Sequence, residues 1–206
     1  EPYRRQRQMC IRDRFYGWSA DFRWLDDSQH ADIRSDLFAG STVNIYSNGT
    51  NSIPSSDKHY TDNYNRIRQV NTLLQQADAY EQQADIAISV GEARFFRAYC
   101  YFNLVRAFGE VPLVTYKIND ASEANIPKTT ADKIYEQIDT DLKTAEESLP
   151  ETWSTEYTGR LTWGAARSLH ARTYMMRSDW DNMYKASTDV INKGLYNLKT
   201  PYNLSL

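Results

Sequence analysis

The sequence predicts an all-α fold of helical hairpins separated by long irregular loops. Apolar residues recur at steps of three and four in five separate stretches. Only two or three residues separate the last two stretches, the spacing of an antiparallel helix pair. No sustained alternation of apolar and polar residues marks a sheet, apart from a possible short strand over Tyr196 to Leu198. At 206 residues the chain is long enough to bury a core of its own.

The first helix is predicted from Tyr60, Tyr64, Ile67, Val70, Leu74 and Ala77, which fall on one helical face, with Ser56 or Asp57 available as cap. A second runs from about Asp85 to Phe108. Phe95, Ala98, Phe102 and Val105 form its stripe, and Tyr101, Leu104 and Phe108 widen it, which demands neighbours on two sides. Gly109 is the expected left-handed cap, and Pro112 forbids continuation. After an irregular stretch, Thr129 with Asp132 suggests a capping pattern ahead of Ile134, Ile138, Leu142, Ala145 and Leu149, closed by Pro150. The fourth helix begins near Thr162 and carries Ala166, Leu169, Thr173 and Met176. The fifth begins near Ser178 or Asp179, carries Met183, Ala186 and Val190, and stops at Gly194. Hairpins with Ala, Tyr and Leu at packing positions are TPR-like, but the helix starts keep no constant period, so this is not a regular solenoid.

Residues 15–56 differ in kind: rich in Ser, Asn, Asp and Gly, with aromatics scattered among them, they read as long loops. Residues 1–14 carry five arginines against two acids, leaving the remainder at −6 within an overall charge of −3. Their end, Met9 through Arg14, resembles a translated adapter remnant, so this segment is expected to be non-native or disordered. An acidic body argues against nucleic acid as partner.

Two cysteines make no disulfide framework; Cys100, inside the second helix, is expected to be a buried thiol. His30, His59 and His170 have no metal-binding spacing, and no nucleophile-elbow, Walker A or dinucleotide-binding stretch occurs. No metal, cofactor or catalytic residue is therefore assigned, and the chain is expected to bind rather than catalyse. Within the second helix, Glu92 and Arg97 are expected to pair with each other while Phe95, Phe102 and Phe108 fill the core.

Three segments carry a family resemblance. Tyr64 to Leu74 has the form Y-x-x-I-x-x-x-N-x-L-L; Gly91 to Leu113 reads GEARFFRAYCYFNLVRAFGEVPL; and Gly159 to Thr162, Ala171 to Tyr174, Asp179-Trp180 and Gly194 to Leu198 form the third. Together, over about residues 57–200, they resemble the SusD-like (RagB/SusD) family. His170 and Met175-Met176 depart from it, standing where the family more often has aliphatic residues. The resemblance implies a scaffold of TPR-like hairpins lipid-anchored outside a Bacteroidetes outer membrane, the anchor not being present in this chain. It implies a SusC-like TonB-dependent transporter as partner and oligosaccharides or other nutrients as ligand. It also implies an incomplete domain over residues 15–206, with the C-terminal part of the family fold absent.

Neutral-sugar recognition needs flat apolar surface for the ring C–H faces and polar groups around it for the hydroxyls. Residues 15–56 supply both: Trp18, Trp24 and Tyr46 as platforms, with Arg34, Asp36, Asn44, Asn48 and Asn51 as polar partners. The resemblance places part of the ligand site ahead of the Y-x-x-I helix, though it assigns no individual residue there. The competing reading of each aromatic is loop-anchoring packing. Trp153 and Tyr157 are weaker candidates. The alternative function is a TPR-type protein-docking scaffold without glycan binding.

Overall fold

The computed structural model of the chain describes residues 59–196. The predicted caps Ser56 and Asp57, the 15–56 loops, the strand residues Asn197 and Leu198, and residues 1–14 lie outside the described residues. Within them are five α-helices, α1 (His59–Asp78), α2 (Gln83–Phe108), α3 (Ala131–Ser148), α4 (Trp163–Met176) and α5 (Trp180–Asn192), and two 3-10 turns, Ala121–Ala124 and Thr155–Tyr157.

The core lies where α1, α2 and α3 meet. Ile67 of α1, Ala98, Tyr101 and Leu104 of α2, and Ile134, Ile138 and Leu142 of α3 are buried in one cluster, joined by Leu169 of α4. Fully burying each aliphatic side chain contributes about 1.5–3 kcal/mol. The broad apolar face of α2 is explained by its neighbours: Tyr60 of α1 packs edge-on against Phe108, and α3 runs along the other side. Gly91 lets α2 and α3 approach, since a Cβ there would stand 2.8 Å from the Ser148 Cβ. Cys100 is buried as expected, and burial pushes its thiol up to about 12.

The α4–α5 hairpin forms where the short connection required it. Thr162 caps α4 by accepting from the Ala165 N–H at 3.3 Å, and Asp179 caps α5 by accepting from the Asn182 N–H. Between them the Ser178 N–H donates to the Met175 carbonyl and the Asp179 N–H to the Tyr174 carbonyl, a Schellman pattern. The pattern places Ser178 at φ +59°, where glycine is the usual occupant. The outward side of α5 leaves Trp180, Tyr184 and Ile191 exposed.

Three expectations need correction. Gly109 does end α2 with a positive φ, but at φ +68° and ψ −116° it is not left-handed helical, and its N–H still donates to the Val105 carbonyl. The cap of α3 is Thr130, without a side-chain cap bond; Thr129 instead belongs to a strand. That strand, β2 (Lys128–Thr129), pairs antiparallel with β1 (Val111–Pro112), so the supposedly irregular stretch is pinned at both ends by a ladder too short to leave a periodic signal.

Candidate functional site

The seven predicted ligand residues, Trp18, Trp24, Arg34, Asp36, Tyr46, Asn48 and Asn51, all lie outside the described residues, as does Asn44. Among the described residues, polar and aromatic groups of the scaffold gather in three places.

The first is the strap after β1. Asn71 donates to the carbonyls of Val114 (2.9 Å) and Tyr116 (3.0 Å) and accepts from Arg97 at 2.9 Å. Arg97 also donates to the Thr115 carbonyl and grips Asp141 with two bonds of 2.7 and 2.8 Å. Arg94 reaches the same carboxylate at 3.0 Å. Tyr101 donates its hydroxyl to the Val114 carbonyl and accepts from the Val114 N–H, and burial raises its phenol above the ordinary range. Asn71, Arg97 and Asp141 are all buried. Apart from the Arg94 Nε, which is buried without a hydrogen-bond partner, the polar groups named here satisfy one another, and their bonds fix the backbone of the strap.

The expected Glu92–Arg97 pair does not form. Residues five apart on a helix point about 140° away from each other, so the two side chains leave α2 in different directions. Arg97 turns toward Asp141, and Glu92 takes Arg160, which donates to it twice, at 2.9 and 2.7 Å. Of the expected phenylalanines, Phe102 is buried, while Phe95 and Phe108 are partly buried against the core.

The second place is the loop from Leu149 to Thr162, which holds Trp153 and Tyr157. The Trp163 N–H donates to the Pro150 carbonyl and closes the base of the loop. The Trp153 indole N–H donates to the Leu161 carbonyl at 2.7 Å. The two rings lie 5.9 Å apart, and the Arg160 guanidinium stacks over both, 4.1 Å from Trp153 and 5.7 Å from Tyr157. Trp153 therefore has its polar handle and one face committed to packing. This is the anchoring role, and the guanidinium beside it is already held by Glu92.

The third is a charged cluster uniting α3, α4 and α5. Arg177 donates to both carboxylate oxygens of Asp139, at 2.9 and 2.8 Å, and Arg167 bridges Glu146 (3.1 Å) and Asp189 (2.6 Å). His170, fully buried and stacked on Tyr174, sits between Asp139 and Glu146. Among the described residues no group of three His, Cys, Asp or Glu side chains is placed to hold a metal, and no helix is long and apolar enough to cross a membrane.

These features define a class: a helical scaffold whose buried polar groups are spent on holding loops and hairpins in place. The chain belongs to the SusD-like family, matching over residues 15–175 the family described as starch-binding associating with outer membrane. The match reaches further toward the N-terminus than the motifs alone suggest, taking in the 15–56 segment, and ends before α5. A SusD-like protein of Formosa agariphila is 37% identical over 103 residues, 49% of this chain and 20% of that protein. The crystal structure of a SusD-like protein from Bacteroides fragilis is similar with a TM-score of 0.69 at 27% identity, over 82% of this chain and 32% of that one. A laminarin-binding SusD-like protein gives a TM-score of 0.61 at 29% identity, over 65% of this chain and 29% of that one. The chain thus spans a third or less of the length of these relatives.

Proposed function

We propose that this chain is the helical N-terminal part, residues 15–206, of a surface glycan-binding protein. Held at the outer membrane by a lipid anchor of its own, that protein captures an oligosaccharide, a polysaccharide or another nutrient and delivers it to a SusC-like TonB-dependent transporter. The observation that carries the reading is the family match over residues 15–175, which includes the aromatic, amide-rich segment. A laminarin-binding relative at 29% identity supports a carbohydrate ligand. The chemistry supports a binder over an enzyme: among the described residues the polar clusters of the scaffold are engaged with one another, and neither a nucleophile nor a carboxylate pair is singled out.

Within this reading the site is formed by Trp18, Trp24 and Tyr46 as stacking platforms, with Arg34, Asp36, Asn48 and Asn51 around them. Apolar ring faces and amide or charged donors are the two surfaces a sugar presents a need for. The test is affinity electrophoresis through gels carrying plant, fungal and host polysaccharides. One polymer is expected to retard the protein without being shortened, and the Trp24→Ala/Tyr46→Ala variant is expected to migrate freely with an unchanged circular dichroism spectrum. Unaltered retardation of that variant would remove these residues from the site. Failure of every polymer to retard the parent protein would favour the protein-docking alternative.

A further inference from the structure

The chemistry of the third cluster goes beyond scaffolding. His170 is wholly buried in α4. Its Nδ1 lies 2.6 Å from Glu146 Oε1, while Nε2 stands 3.3 Å from Asp139 Oδ1, an ion contact without hydrogen-bond geometry. Both carboxylates belong to α3, seven residues apart, so the imidazole is gripped across two turns of the facing helix. On its own helix His170 has Arg167 and Tyr174, and Arg177 follows just past the helix end; α5 adds Asp189 through Arg167. The charged groups other than His170 are two arginines, Arg167 and Arg177, against three carboxylates, Asp139, Glu146 and Asp189. With the three carboxylates ionised, a proton on the imidazole brings the cluster to zero net charge. A neutral imidazole has one N–H, so it could donate to only one of the two carboxylates and would turn a lone pair toward the other.

We propose that His170 is a protonation-dependent clamp that fastens the α4–α5 hairpin to α3 and loosens when the imidazole loses its proton. Burial disfavours the charged ring, but the hydrogen bond to Glu146 and the charges of Glu146 and Asp139 outweigh it, so His170 titrates above its ordinary 6.5. Asp139 responds in the opposite sense: burial opposes its ionisation, yet His170 and Arg177 hold its carboxyl below the usual range. For a raised group, the added stability is fully present below the ordinary value and is lost as pH rises through the folded-state value. The hairpin thus holds most firmly in mildly acidic solution and slackens toward alkaline pH. The Asp139 contribution fails only at strongly acid pH, on the other side of that window.

The test is urea unfolding of the whole chain at half-unit steps from pH 5.5 to 9, with deuterium exchange of the amides of α4 and α5 measured against those of α2. Between the unfolded and folded titration points, the folded-to-unfolded ratio should fall by up to about tenfold per pH unit. Once exchange is corrected for the base-catalysed rise of the intrinsic rate with pH, protection should be lost more steeply in the hairpin than in α2. His170→Gln, which cannot take up the proton, should give a midpoint that no longer declines over this range. A parent protein whose midpoint does not change with pH, or whose corrected hairpin protection falls no more steeply than that of α2, would overturn the proposal, as would a His170→Gln variant with the parent's decline. Should that variant fail to fold, imidazole titration by NMR in a His30→Gln/His59→Gln background decides: a value at or below 6.5 for His170 refutes the clamp. Glycan retention plays no part in these readouts, so the clamp and the binding function stand or fall separately.

Discussion

Arg97→Met is the sharpest probe of how this scaffold is built. The guanidinium makes four hydrogen bonds: two to Asp141, one to Asn71 and one to the Thr115 carbonyl. Methionine keeps the apolar stem and removes them all. Asp141 is then a fully buried carboxylate with Arg94 as its remaining cation, and the Asn71 and Thr115 oxygens lose a donor. Removing one partner of a buried pair costs about 3–5 kcal/mol; because Arg94 still reaches Asp141, the lower end, about 3 kcal/mol, is expected. With a urea slope of about 2 kcal/mol/M, the unfolding midpoint should fall by about 1.5 M. Circular dichroism across a urea series measures this directly. Arg97→Met/Asp141→Leu, which removes both charges, should recover part of the loss. A fall below about 0.3 M for the single variant would refute the reasoning, because it would place the pair with exposed ion pairs.

Two other substitutions test backbone and packing. Gly91→Ala should destabilise by about 1–3 kcal/mol in the same assay despite alanine's better helix propensity, because its Cβ would meet the Ser148 Cβ and force α2 from α3. Ser178→Gly should raise the unfolding midpoint by an amount equivalent to about 1 kcal/mol, since it relieves a non-glycine residue held at φ +59° in the α4–α5 turn.

The helices were legible because each carries an amphipathic period long enough to read: Ile134, Ile138, Leu142 and Ala145 alone place α3, and all four are buried. The short α4–α5 connection likewise announced its hairpin. The partners of charged residues were not legible. Glu92 and Arg97 stand close in sequence, yet their partners lie 68 and 44 residues away, and only the packing of α2 against α3 and the 149–162 loop brings them together. The β1–β2 ladder escaped for a related reason, since two residues a side give no alternation. His170 stood out in sequence only as a polar residue at an expected aliphatic position; that it faces two carboxylates of α3 follows from a helix crossing that spacing cannot supply. For the proposed ligand site, the residue types in the 15–56 segment suggest sugar chemistry, but the segment has no sustained period from which their mutual geometry could be read.

Four residues of the first two resemblance motifs serve as anchors of backbone. Tyr64 and Asn71 of the first motif donate to the carbonyls of Pro112, Val114 and Tyr116, and Arg97 and Tyr101 of the second hold Thr115 and Val114. Four side chains from two helices thus fix one strap of five residues, each bond joining a helix side chain to strap backbone. Backbone recognition places few demands on the loop's own side chains, so the loop sequence can vary while its path is kept. A binding protein gains from that division, because ligand-facing side chains can change without disturbing the frame that carries them. It follows that mutating a motif residue such as Asn71 should show first as lost stability; if the proposed function holds, altered ligand choice should instead come from the aromatic and amide side chains of the 15–56 segment.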